Sequence, residues 1–249
     1  MDKQNGCYIG TSGWSYEGWI GNFYPDKIKS PDVLPYYTKV FDSVELNNSF
    51  YQLPKENNVK KWVEQTPEEF VFSCKANRYI THTKKLEDAE ESVDRLLTAF
   101  RYFEHKLGPI LFQFPPYWHI DLPRLKKFID YLPKDLRYTF EFRSKSWFCD
   151  SLYELLASQR MSLCFYDHKQ YQTPSIVTGD FIYIRMHGPE ITPYTGAYSE
   201  DAIQGCARKI LEWQKENKPV YCYFDNDEKA CAPQDAKRLR AAIKAQKGI

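Results

Sequence analysis

The chain is expected to fold as an α/β protein, a single (β/α)8 TIM barrel of parallel strands with long βα loops spanning residues 1–249. Two observations point there. Short apolar runs alternate with longer amphipathic ones along the whole chain, the signature of βαβ units and a parallel sheet. A length of 249 residues suits one large domain, and α/β barrels use it as such. An open doubly wound sheet is the alternative. Both architectures place ligands at the carboxyl ends of their strands.

Eight runs read as strands: 7–12 (CYIGTS), 43–47 (SVELN), 70–77 (FVFSCKAN), 110–115 (ILFQFP), 138–143 (YTFEFR), 162–167 (SLCFYD), 181–187 (FIYIRMH) and 220–225 (VYCYFD). Each is short and apolar, as a strand buried on both faces should be. Between them, helical periodicity covers 31–41, 56–65, 86–105, 122–132, 151–159, 199–216 and 233–245. The sixth crossover, HKQYQTPSIVTGD, shows no helical period. FPPYWHIDLP and HGPEITPYTG follow strands and read as long βα loops. No repeat, linker or low-complexity tract interrupts the pattern.

Composition narrows the function classes. A net charge of +1 creates no global field for nucleic acid or an anionic membrane. Aromatic residues make up 16% of the chain, so rings must fill a core or line a site. Cysteines number seven, an odd count, and Cys7, Cys74, Cys164 and Cys222 lie in strand-like runs, as buried thiols in a reducing cytosol would. The opening MDKQNGCYIG is too polar for a secretory leader, and no apolar stretch is long enough for a bilayer. A cytoplasmic protein without a membrane partner is the expectation. Zinc-ribbon spacing, a Walker loop, a dinucleotide glycine fingerprint and a serine elbow are all missing.

Strand parity locates the chemistry. Alternate residues of a strand face opposite sides. One parity is almost wholly apolar, for example Phe112, Phe114, Phe140 and Phe142, and should face the helices. The other carries Tyr8, Gly10, Ser12; Ser43, Glu45, Asn47; Lys75, Asn77; Gln113; Thr139, Glu141, Arg143; Tyr183, Arg185, His187; and Tyr221, Tyr223, Asp225. It begins small or aromatic and becomes charged toward the strand ends. Glu45, Lys75, Glu141, Arg143, Arg185, His187 and Asp225 would form a ring at the carboxyl mouth. Desolvating so many ions is costly unless a site needs them.

The strings IGTSGWSYEGWIGNFYP, VELNNSFYQLP, FVFSCKANRYITH, LGPILFQFPP, FEFRSKSW, YIRMHG with YTGAYS, and YCYFDND occur in this order. Together they resemble the YecE-like family, domain of unknown function 72. That resemblance implies a TIM barrel and, through a likeness to barrel apurinic endonucleases, nucleic-acid phosphodiester substrates. Two positions depart from the family pattern. Ser144 follows "EFR" where His is common, and Asp225 stands in a stretch that commonly reads YFNN.

The site chemistry follows from residue types. Lys75, Arg143 and Arg185 are suited to hold a phosphate or carboxylate. Glu45, Glu141 and His187 are the candidate proton-transfer groups. Asn47, Asn77, Gln113 and Asp225 would orient a ligand, and Trp14, Tyr16 and Trp147 would offer rings to a sugar or a base. A divalent metal near His187, Asp225, Glu45 and Glu141 has suitable ligand types, but three cations in the same ring argue against it, and no cofactor is expected. The leading expectation is a hydrolase or lyase for a small-molecule or nucleotide-like anionic substrate, with nucleic acid as a further candidate partner. The alternatives are a glycoside-processing enzyme using Glu45 and Glu141, and a non-catalytic barrel that binds anions or nucleic acid.

Overall fold

The alternation of runs becomes ten strands and seven α-helices among residues 6–168 and 171–248, which the computed structural model describes. The strands are β1 (Cys7–Thr11), β2 (Ser43–Leu46), β3 (Val71–Lys75), β4 (Leu107–Phe114), β5 (Tyr138–Phe142), β6 (Ser162–Leu163), β7 (Phe165–His168), β8 (Tyr171–Gln172), β9 (Ile182–Met186) and β10 (Val220–Phe224). The helices are α1 (Val33–Tyr37), α2 (Glu56–Glu64), α3 (Glu90–Arg101), α4 (Leu122–Tyr131), α5 (Asp150–Ser158), α6 (Glu200–Lys215) and α7 (Cys231–Gln246). The fold is α/β with predominantly parallel strands in two sheets, one ordered β1-β10-β9-β7-β8 and the other β2-β3-β4-β5-β6.

The described residues form two compact units. The first comprises 6–45, 165–168, 171–173 and 181–248, the second 46–164 and 174–180, so the division passes through β2 after Glu45. In the first unit β1 pairs with β10, and β10 with β9, in parallel. Gly10 is required there. A Cβ on it would lie 2.1 Å from the Ser43 carbonyl oxygen and 2.8 Å from the Tyr37 hydroxyl, so only glycine lets β1 come so close to the start of β2. In the second unit the apolar parity stacks as expected. Phe112, Phe114, Phe140 and Phe142 form a ladder of rings, and Phe112 meets Phe128 of α4 edge-on at 5.1 Å.

Several boundaries differ from those expected. β4 starts at Leu107 rather than at 110. A Cβ on Gly108 would lie 2.7 Å from Val71, so glycine permits close pairing there, beside a register shift in β3. The helix expected over 31–41 shortens to a 3-10 turn, Ser30–Asp32, and one turn of α1. α3 begins only at Glu90 because Lys85, Leu86 and Asp88 take left-handed φ of 48°, 68° and 43°. The strand expected over 162–167 breaks at Cys164. β6 pairs with β5, whereas β7 pairs with β9 and with β8 in a short antiparallel hairpin. No helix forms among the described residues between β8 and β9, as the absent periodicity indicated. None of the described helices is long and apolar enough to cross a membrane.

Candidate functional site

In the first unit the inward parity builds a polar column on an aromatic floor. Tyr8 stacks on Tyr221 at 4.8 Å, and Tyr221 lies near-parallel to Tyr183 at 6.4 Å. One layer up, the Ser43 and Tyr223 hydroxyls meet at 2.6 Å. The parallel register places Arg185 beside Tyr223. Arg185 is 1% exposed, and Glu45 is fully buried.

Arg185 joins this cluster together. Its Nε donates to Glu45 Oε2 at 3.0 Å, and its Nη2 donates to Glu45 Oε1 at 2.9 Å and to Asp225 Oδ2 at 3.0 Å. The same Nη2 lies 3.2 Å from Ser12 Oγ, which in turn donates to Glu45. Tyr183 donates its hydroxyl to Glu45 Oε2 at 2.7 Å, and burial, with Glu45 beside it, pushes that phenol far above its ordinary range. Arginine only donates, so its Nη1, 3.3 Å from His187 Nε2, makes that nitrogen the acceptor. His187 therefore carries its proton on Nδ1 and donates it to Asp225 Oδ2 at 3.0 Å. The result is a chain Glu45, Arg185, Asp225, His187 at the carboxyl ends of β2, β9 and β10.

The surrounding loops fix this chain in place. Tyr194 and Tyr166 set their rings edgewise to His187 at 5.7 and 6.2 Å, and the Tyr194 amide donates to the His187 carbonyl. Asn226 donates to the Gly196 carbonyl and to Asp235, which Arg238 also holds. Tyr16 is half-buried and donates to the Ser12 carbonyl. Burial raises its phenol first, and Asp225, Asp227 and Glu45 add to the rise. Asp227 is itself raised by burial and by Asp225. Trp14 is half-buried, and its carbonyl accepts from Tyr24. The start of α6 is an ordinary cap: Ser199 accepts from the Ala202 amide, and Glu200 and Asp201 occupy the first turn.

The second unit holds a separate cationic group. Gln113 and Glu141 are register partners on β4 and β5 and so share a face. Glu141 is fully buried and accepts from Arg143 Nε at 2.8 Å, while the Arg143 side chain is 26% exposed. The Lys75 ammonium sits 4.2 Å above the centre of the Phe50 ring. His82 meets the same ring edge-on at 5.0 Å, with its Nδ1 2.9 Å from the Thr81 hydroxyl. Burial, then Lys75, Arg78 and Arg143, pushes His82 down to about 4. Asn77 shapes the loop: its amide donates to the Ser49 carbonyl, and its oxygen accepts from the Tyr79 amide. Asn47 opens the 3-10 turn Asn48–Phe50 that carries the ring.

Residues 8–249 match the family described as Protein of unknown function DUF72. The chain belongs to that family. Among its relatives, the UPF0759 protein YunF of Bacillus subtilis is 27% identical, with 93% of each chain covered. The UPF0759 protein YecE of Escherichia coli K12 is 31% identical over 57% of this chain and 50% of its own. A crystal structure of a DUF72 family protein from Thermotoga maritima superposes with a TM-score of 0.87 at 27% identity, covering 96% of this chain and 99% of the other.

Of the site residues that the sequence suggested, this DUF72 chain brings Glu45, Arg185, His187 and Asp225 together in the first unit. Lys75, Asn77, Gln113, Glu141 and Arg143 lie in the second. Two expectations need correction. Trp147 offers no face to a ligand: it is fully buried, stacked on Phe142 at 4.5 Å, and donates its indole N–H to the Trp118 carbonyl at 2.8 Å. Arg185 is not an open fork for a phosphate, because Glu45, Asp225 and Ser12 engage its donors. Ser12 and Tyr183 were on the inward parity, yet their role as hydroxyl partners of Glu45 was not foreseen. Phe50 was also missed, since it does not lie on a strand. Among the described residues no group of three or more His, Cys, Asp and Glu side chains is placed to hold a metal ion. Between Glu45 and Asp225, the guanidinium of Arg185 supplies the positive charge.

Proposed function

We propose that the chain is a hydrolase or lyase acting on a phosphate-bearing substrate, a nucleotide or a nucleic-acid end, with the (β/α)8 barrel as its architecture. The observation that carries this reading is the buried chain from Glu45 through Arg185 and Asp225 to His187. An apolar cluster of equal volume is often as stable or more so, so ionisable groups concentrated at strand ends point to use. In this reading His187 accepts a proton at Nε2. Asp225 fixes the tautomer that leaves Nε2 basic, as an oriented base requires. Glu45, with Ser12 and Tyr183, positions Arg185, whose long 3.3 Å contact to Nε2 would yield to a water or hydroxyl. Within the second unit, Lys75 and Arg143 are cations suited to a phosphate, and Glu141 orients Arg143. Glycoside chemistry gains no support here, because Glu45 is held by Arg185, Ser12 and Tyr183.

A screen of phosphomonoesters, phosphodiesters and nucleotides tests this. Replacing a general base commonly costs about 100-fold or more in rate, so His187→Gln should lower kcat by that factor with KM little changed. Full kcat in His187→Gln, or no turnover of any phosphoester by wild type, would remove the proposal. Saturation of the Arg185 donors favours one second reading, a binding protein without turnover. A phosphorylated molecule retained in native mass spectra of an inactive wild type would establish it.

A further inference from the structure

Two basic residues of the second unit, Lys75 and His82, share one aromatic ring, and the proton-transfer chain of the first unit does not use them. Lys75 and His82 both pack on Phe50, one over its face and the other against its edge. Lys75 ends β3, and Arg78 and His82 follow it, His82 within the single turn of π-helix Tyr79–Thr83. Arg143 follows β5 with Nε on the buried Glu141, a bond that fixes the plane of its guanidinium. Single turns of π-helix are frequent at functional sites. The residues after this one, Lys85 and Leu86, are held in left-handed conformations, and Leu86 is buried.

We propose that Lys75, Arg78, Arg143 and His82 form a binding site for a phosphate group, and that His82 takes up a proton as the anion binds. Lys75, Arg78 and Arg143 act on His82 as like charges, opposed by Glu141. With the anion absent, the same three cations and burial keep the imidazole neutral, at about 4. A bound dianion cancels the repulsion and accepts a hydrogen bond from the protonated ring, so His82 becomes the fourth donor. Binding and protonation are then linked: whatever raises the His82 value on binding raises anion affinity as pH falls. Tyr51, Tyr79 and Tyr117 are exposed on loops after β2, β3 and β4, and the Lys85 ammonium lies 5.2 Å from the Tyr117 ring. These rings suit the base of a nucleotide or of a single strand.

The site deepens the phosphate reading above, but its test needs no turnover, so loss of one leaves the other standing. The probe is sulfate, a dianion whose charge does not change between pH 4 and 7. The His82 ring nitrogens would be followed by NMR against pH, with and without saturating sulfate. Sulfate should raise the His82 midpoint by about one pH unit or more. Arg78→Ala and Arg143→Ala should abolish the rise. His82→Gln should still bind sulfate at pH 7, with an affinity that no longer strengthens toward pH 5. A midpoint unmoved by sulfate, or moved equally in both arginine variants, would overturn the proposal, as would calorimetry showing no sulfate binding to wild type. Adenosine monophosphate and a single-stranded oligothymidylate then distinguish the sources. A strand bound about tenfold more tightly than the mononucleotide, with that gain lost in Tyr79→Ala, assigns the site to nucleic acid. Equal affinities assign it to a small phosphorylated molecule.

Discussion

Glu45 accepts from Arg185, Ser12 and Tyr183 with none of its surface in water. Removing one partner of a buried pair leaves the other charge uncompensated, at a cost of about 3–5 kcal/mol. Glu45→Leu should lose stability on that scale in urea melts. Glu45→Gln should lose less, because Asp225 still faces Arg185 and the amide oxygen still accepts. A Leu variant as stable as wild type would show that Arg185 finds other compensation. His82 makes the second prediction at this scale. Its folded value, about 4, lies below the unfolded 6.5, so the unfolded chain binds more protons between those limits. His82 therefore lowers stability as pH falls through that window, and its effect levels off below it. His82→Gln should lose less stability than wild type between pH 7 and 4.5, and an equal loss would contradict the assignment. Parity brought Glu45, Arg185, His187 and Asp225 to attention because a strand side chain has only two directions to choose from. Loop side chains have no such constraint. Trp147 was therefore misplaced: nothing in KSW says that its ring folds back onto Phe142.

At the scale of elements, the close approach of β1 to the start of β2 depends on a missing side chain. Gly10→Ala puts a methyl 2.1 Å from the Ser43 carbonyl oxygen, which is backbone and cannot swing aside. Overpacking in a well-packed interior typically costs about 1–3 kcal/mol, and this clash should reach the upper end of that range or prevent folding. Ser12 follows two residues later and bonds to Glu45, so any surviving variant should also lose part of the polar chain. A melting temperature unchanged from wild type would mean that β1 shifts freely. The same dependence on tertiary neighbours explains which elements could be read in advance. Seven of the expected strands and all seven helical segments appear in place because their apolar period is local information. The break at Cys164 was hidden, since SLCFYD is uniformly strand-like and only its partners decide that β6 and β7 join different sheets. The late start of α3 was hidden for a related reason. LEDAEES is compatible with helix, and the burial of Leu86 outweighs the local preference by holding it at a left-handed φ.

For the molecule as a whole, a net charge of +1 sets a limit on how any nucleic acid could be held. With no global basic field, affinity for a strand must come from a local group of cations. Lys75, Arg78 and Arg143 are three, and each phosphate neutralised on a single strand contributes a slope of about −0.7 to log K against log salt. An oligothymidylate held at this site should therefore show a slope no steeper than about −2. Engagement of Lys84 and Lys85 along the same loop would steepen it to about −3.5. A shallow slope together with tight binding would mean that stacking on Tyr51, Tyr79 and Tyr117 supplies most of the affinity. In that case alanine at those tyrosines should weaken binding at every salt concentration by the same factor. A slope far steeper than either value would require phosphate contacts beyond these loops. Sulfate and an oligonucleotide would then compete only in part, and the site around Phe50 would be one contact among several rather than the one that sets affinity.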